Sequence, residues 1–251
     1  MLSAEPRTNL RQENSPSRRD TRARFEQWAH NPLCQANVKS AVYGVSMAEV
    51  AKAEGLAPGP GQSPFAIARG VSFEAALFLN EGERLQSALK EKWPALFAGA
   101  GCEFVDLRVR LKRGKLSGLD RAIEATADFL RRIASRAEPK TSWLAAGAAI
   151  SVPGNAMMPE AVLVVDALHA SSSPGGAVLT VGEIKSYPDR DGFTDASELA
   201  LARAQAGVYV HGLRAAIEAL GLAQKVQVSD RGFLVLSKPG SNQASVRAPE
   251  A

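Results

Sequence analysis

V-L-T-V-G-E-I-K-S-Y, residues 178–187, reads as a buried central strand that ends in charge. Val178, Leu179, Val181 and Ile184 give it the aliphatic, β-branched character of a core strand. Successive side chains point to opposite faces, so Glu183 and Lys185 share one face while Ile184 turns into the core. A charged pair at the end of such a strand is costly unless it faces a cleft or a ligand. The pair suits metal-assisted hydrolysis of phosphodiesters. The carboxylate can hold a divalent ion while the ammonium handles a water or a phosphate.

Immediately upstream, Ala161 to Leu168 reads as a second strand and H-A-S-S-S-P-G-G, residues 169–176, as a loop. With Leu168 and Ala177 flanking that loop, antiparallel pairing puts Val162 opposite Glu183 and Glu160 opposite Lys185. Asp166 then falls beside Leu179, roughly 13 Å along the strand from Glu183 at about 3.3 Å per residue. Oxygens that share an ion lie within about 2.0–2.6 Å of it, so this register selects Glu160 over Asp166 as the second acidic ligand. A bulge would reopen the choice. Pro159 fits a strand start, where proline is tolerated.

Downstream, the acidic loop P-D-R-D-G-F-T-D (188–195) leads into a long helix from about Ser197 to Leu220. Gln205 and Tyr209 lie one turn apart on it, with Arg203 nearby. The glutamine amide can bond a phosphate or a ligating carboxylate, the tyrosine can orient it or stack on a base, and Arg203 can add a phosphate contact. Val226–Val228 and Phe233–Leu236 read as short closing strands.

On the N-terminal side, Ser63-Pro64 reads as the cap and first residue of a helix. In G-V-S-F-E, Gly70 and Glu74 share a face of that helix. The glycine would admit close approach to the sheet, and Glu74 would point over the strand ends. A helix from Glu81 to Trp93, a strand from Glu103 to Leu111, a turn to Gly118, an amphipathic helix from Asp120 to Ala134 and a strand from Trp143 to Val152 complete an α/β pattern. The expected organisation is a disordered stretch 1–17, a helical extension 18–62, one domain 63–237 and a flexible tail 238–251. The extension would be helical from Arg18 to about Tyr43 with Phe25, Trp28, Ala29 and Leu33 as its apolar side, interrupted at Pro32, and a Ser46-capped helix would follow through Ala53, ending at Gly55.

Bulk properties narrow the class. The 251 residues, 45% hydrophobic, suffice for one good core. Thirty basic against 26 acidic residues give a formal charge of +4, compatible with a polyanionic partner. Cys34 and Cys102, the only cysteines, exclude a four-thiolate iron–sulfur cluster, an all-cysteine zinc site and a disulfide framework. The first 24 residues have no apolar signal-peptide core, and no run of 18 apolar residues occurs. A soluble cytoplasmic protein without a membrane partner is expected. There is no G-x-x-x-x-G-K-[ST], hence no P-loop.

Together these motifs resemble the PD-(D/E)XK nuclease superfamily, within it the RecB-like branch that includes CRISPR-associated adaptation exonucleases and helicase–nuclease subunits. The helical G-x-x-x-E is Gly70 to Glu74, the acidic residue after proline is Glu160, E-x-K is Glu183-Ile184-Lys185, and Q-x-x-x-Y is Gln205 to Tyr209. The specificity lies in four motifs in order over residues 63–220. The chain departs from the pattern in carrying glutamate where the family has aspartate after proline, and in lacking the iron–sulfur cysteines of several relatives. The resemblance implies a restriction-endonuclease-like core, a central mixed sheet flanked by helices. It also implies a metal-dependent deoxyribonuclease, with Glu74, Glu160 and Glu183 holding Mg²⁺ or Mn²⁺. Lys185 would handle the attacking water, and Arg203, Gln205 and Tyr209 would position the strand. DNA is the expected substrate, with RNA left open, in a defence, mobile-element or repair system whose helicase or other ATPase subunit would act in trans. The alternative is a catalytically silent nuclease-fold protein that binds nucleic acid or a partner protein.

Overall fold

The structure, a computed structural model, describes residues 24, 25, 27–29, 31–57, 63–97, 101–108, 117–135, 141–153 and 161–247. The stretch 1–17, most of the turn 112–118, Pro159 and Glu160 lie outside them. The chain divides into two compact units, one of residues 1–58 with 154–161 and one of 59–153 with 162–251.

In the first unit, residues 24, 25 and 27–29 are helical, a turn follows at Pro32-Leu33, and α1 (Gln35–Tyr43) and α2 (Met47–Ala53) come next. Phe25 is buried, but Leu33 is 93% exposed, so it does not belong to the apolar side. The proline breaks the helical phase, and Leu33 is carried outward on the turn. Ser46 caps α2 in a reciprocal box: its Oγ accepts from Glu49 N at 3.2 Å, and Glu49 Oε2 accepts from Ser46 N at 2.7 Å.

The second unit is α/β. Its helices are α3 (Pro64–Leu77), α4 (Leu79–Lys92), α5 (Ser117–Ser135) and α6 (Ala196–Ala219). Its strands are β1 (Gly101–Asp106), β2 (Thr141–Val152), β3 (Ala161–Ser173), β4 (Gly176–Pro188), β5 (Val226–Val228), β6 (Phe233–Ser237) and β7 (Ala244–Arg247). They form a mixed sheet in the order β1-β2-β3-β4-β6-β7, with β5 also on β4. β5 and β6 lie in line along one side of β4, parallel to residues 177–179 and 182–185.

The tail reading is corrected by β7. It pairs antiparallel with β6 and buries Val246, while Ser245 Oγ and Arg247 Nη2 both donate to Asp189 at 2.5 Å. Burial pushes the Asp189 carboxyl up, but those two bonds, the Arg247 charge and the Gly192 N–H outweigh it and hold the group below its ordinary value.

Helices cover both faces. Phe73 and Leu77 of α3 and Leu85 and Leu89 of α4 share a core with Leu144, Ala146, Ala167, Ile184, Phe233 and Val235. The alternate residues point the other way. There Trp143 Nε1 donates to Glu103, which pairs with Arg132 of α5 at 3.2 Å, and α6 packs on β2 and β4. No described helix is long and apolar enough to cross a membrane.

The β3–β4 hairpin departs most from the sequence reading. The segment 169–173 is strand, not loop, and the connection is the two-residue turn Pro174-Gly175. Proline presets the first turn position, and Gly175 takes the φ of +90° that the second one needs. His169, assigned to the loop by the sequence, is fully buried at 5.0 Å from the Phe97 ring. Neither of its nitrogens has a hydrogen-bond partner among the described residues, and burial pushes its imidazole down to about 4. The unfolded chain takes up this proton below about pH 6.5, the folded chain only near pH 4, so stability falls with pH across that window. Between pH 7 and pH 5 this group should cost about 2 kcal/mol. Urea unfolding at both pH values will show it as a change of that size in the gap between wild type and His169→Leu. A constant gap would contradict the assignment.

Candidate active site

β4 carries the centre of the site. It is an interior strand, and Gly182 makes room there for Phe233, whose ring would lie 2.1 Å from a Cβ at this position. The next residue, Glu183, is fully buried on the α6 face, and Lys185 Nζ lies 2.6 Å from its Oε1. Lys185 also donates to Gln205 Oε1 at 3.0 Å, and Gln205 Nε2 donates to Tyr209 Oη at 2.6 Å. Gln205 and Tyr209 are buried on the sheet-facing side of α6, whose N-terminus is capped by Asp195 Oδ1 accepting from Ser197 N and Glu198 N. Four of the residues proposed from sequence thus form one continuous polar chain across the β4–α6 interface.

The second acidic ligand requires correction. β3 and β4 pair from Ser173↔Gly176 to Ala167↔Gly182, with Leu168 opposite Val181 rather than at the turn. The expected register is therefore displaced by four residues, because the serine-rich segment extends the hairpin instead of closing it. The next step of the observed register sets Asp166 opposite Glu183. There Asp166 Oδ2 accepts from the Ile184 N–H at 2.9 Å. Directly opposed residues have Cβ atoms about 5 Å apart on one face, close enough for two carboxylates to share an ion. The geometric ground for choosing Glu160 is gone, and Glu160 itself lies outside the described residues.

Glu74 is not brought to this face. Its helix covers the Ile184 side of the sheet through Phe73 and Leu77, and the electrostatic neighbour described for Glu74 is Arg108, just beyond β1. At Gly70 the helix does come close to β4, but a Cβ there would sit 3.6 Å from Ser186 Oγ, an ordinary contact that does not demand glycine. Among the described residues no three His, Cys, Asp or Glu side chains gather closely enough for one ion.

Two further features belong to the site. The register continues from Glu183 to Leu234 on β6 and Arg247 on β7, so these residues share the α6 face. A cavity of about 420 Å³ opens beside them, with Val181 and Leu234 among its walls and Arg203 of α6 facing it. Asp166 had a signal in the sequence, since Pro-Gly between two extended segments is itself a hairpin cue. Arg247 had none, because A-S-V-R is too short to announce a strand. Compared with protein-family models, curated proteins and solved structures, the chain matches none.

Proposed function

We propose that this chain is a metal-dependent nuclease that hydrolyses phosphodiester bonds in DNA, built on a restriction-endonuclease-like core. The observation that carries the reading is the Glu183–Lys185–Gln205–Tyr209 chain with Asp166 one register step away. A fully buried carboxylate paired with a nearly buried lysine contributes little net stability, because desolvation offsets the attraction. Such a pair beside a cavity suits function better than structure.

The donor set fits a hard cation. Mg²⁺ is commonly held by one or two carboxylates together with substrate phosphate and water, so Asp166 and Glu183 meet its needs without a third acid. When bound, Mg²⁺ or Mn²⁺ would lower the pKa of a coordinated water and neutralise charge on the phosphate. The remaining chemistry is the chain's own. Lys185 Nζ, beside Glu183, would orient the attacking water and stabilise negative charge growing on the phosphate. Gln205 fixes that ammonium through its carbonyl and is itself fixed by Tyr209. Exposed Arg203 supplies a cation for the incoming backbone.

A second reading, a nuclease-fold protein that binds nucleic acid or a partner without cutting, draws on the lack of a three-acid group among the described residues. One assay separates the two. Purified full-length chain, incubated with supercoiled plasmid and with single-stranded oligonucleotides, should cleave in Mg²⁺ or Mn²⁺ and not in EDTA. Binding of these DNAs without cleavage in either metal would favour the second reading.

A further inference from the structure

The cavity beside Glu183 is not accounted for by the polar chain. Its walls include Val181 and Leu234 on the sheet and Ala206, Gly207 and Val210 on α6, with Arg203 and Arg247 also lining it. Val181 precedes Glu183 by one same-face step, and Leu234 is Glu183's lateral neighbour on β6. Glu183 itself is fully buried and does not line the space, which begins one same-face step away from it along β4 and one strand over on β6.

Gly207 is the informative residue. It stands mid-helix in α6, where glycine is the least favourable residue after proline. Packing does not require it, since a Cβ at Gly207 would meet nothing within 4 Å, and its φ lies in the ordinary range. Neither the helix nor its neighbours explain the glycine, but its absent side chain leaves the cavity wall open. The walls set an apolar side, Val181, Val210 and Leu234, against the charged side chains of Lys92, Arg203, Asp230 and Arg247, and the volume, about 420 Å³, accommodates one nucleotide. Arg203 and Lys92 bring positive charge, complementary to a phosphate, whereas Arg247 is held by Asp189 and Asp230 by Arg214.

Resting on the nuclease reading, we infer that this cavity receives one unstacked nucleobase next to the phosphate at Asp166 and Glu183. The base lies against Val181, Val210 and Leu234, and its own phosphate meets Arg203. The strand must then enter unpaired, because a base held in a duplex cannot leave its stack without added cost.

The test uses the full chain and two fluorescein-labelled 15-mers, oligo(dT) and an abasic strand of the same phosphate count, with Ca²⁺ present. Wild type should bind oligo(dT) about tenfold more tightly than the abasic strand, the scale of one base contact. Gly207→Leu fills the cavity from an open helical position, so its melting temperature should equal or exceed that of wild type. It should bind both strands alike, at the wild-type abasic level. Equal affinity of wild type for the two strands, failure of wild type to bind either, or a Gly207→Leu variant that keeps the preference would each overturn the inference. A base preference lost in Gly207→Leu, together with no cleavage by wild type in Mg²⁺ or Mn²⁺, would sink the nuclease reading and leave the base pocket standing.

Discussion

Asp166→Asn should abolish metal-dependent cleavage, whereas Glu160→Gln should leave it largely intact. The contrast follows from the hairpin. With Ala167 paired to Gly182, the next step sets Asp166 opposite Glu183 on the α6 face, and the register on which the choice of Glu160 rested is displaced by four residues. Asparagine keeps the shape, and its side-chain oxygen can still accept the Ile184 N–H now bonded at 2.9 Å, so the strand ends should stay in place. What is lost is one of two negative charges for the cation. Metal stabilisation of a phosphoryl transition state amounts to several kcal/mol, and about 1.4 kcal/mol is tenfold in rate, so the expected loss is about a thousandfold. Single-turnover cleavage by the two variants, with Mn²⁺ affinity measured alongside, reads the difference. A Glu160→Gln variant as dead as Asp166→Asn would return the second ligand to Glu160.

Lys185→Met should produce the second large effect, visible in stability as well as rate. Glu183 is fully buried and Lys185 Nζ lies 2.6 Å from it, so removing the lysine strands a carboxylate in the core. Breaking a buried pair in this way costs about 3–5 kcal/mol, and Lys185, 15% exposed, belongs toward the lower figure. A bound Mn²⁺ would restore an opposite charge to Glu183. Mn²⁺ should therefore raise the melting temperature of Lys185→Met more than that of wild type, while cleavage stays about a hundredfold or more below wild type. A purely structural ion pair would show the destabilisation without the metal rescue. Differential scanning fluorimetry with and without Mn²⁺ separates these outcomes.

Much of this architecture can be read in the residues. The alternation in V-L-T-V-G-E-I-K placed Glu183 and Lys185 on one face and Ile184 on the other, as the structure has them, because period-2 burial leaves a strong mark on an interior strand. The four-residue spacing from Gln205 to Tyr209 likewise predicted a shared helix face, and the two side chains bond each other. The hairpin register was misread although Pro174-Gly175 marks its turn. His169 and three serines look like loop chemistry, but within a paired strand their backbone bonds are satisfied by the neighbour, and the imidazole accepts burial by staying neutral. That misreading of a polar run moved every β3 residue by four positions and exchanged Asp166 for Glu160. β7 was missed for another reason. Four residues carry little periodic signal, and A-S-V-R is held by β6 and by its bonds to Asp189, partners remote in sequence. Glu74 was drawn in by motif order, yet helix α3 faces the sheet through Phe73 and Leu77 from the Ile184 side, a choice of face that spacing alone does not encode.

The most direct check is a crystal of the full chain soaked in Mn²⁺ and measured at the manganese edge. An anomalous peak between the carboxylates of Asp166 and Glu183, at roughly 2.0–2.4 Å from an oxygen of each, is the predicted result. A peak that engages Glu183 with Glu160 instead of Asp166, or no peak beside Glu183 at saturating Mn²⁺, would contradict the metal centre proposed here.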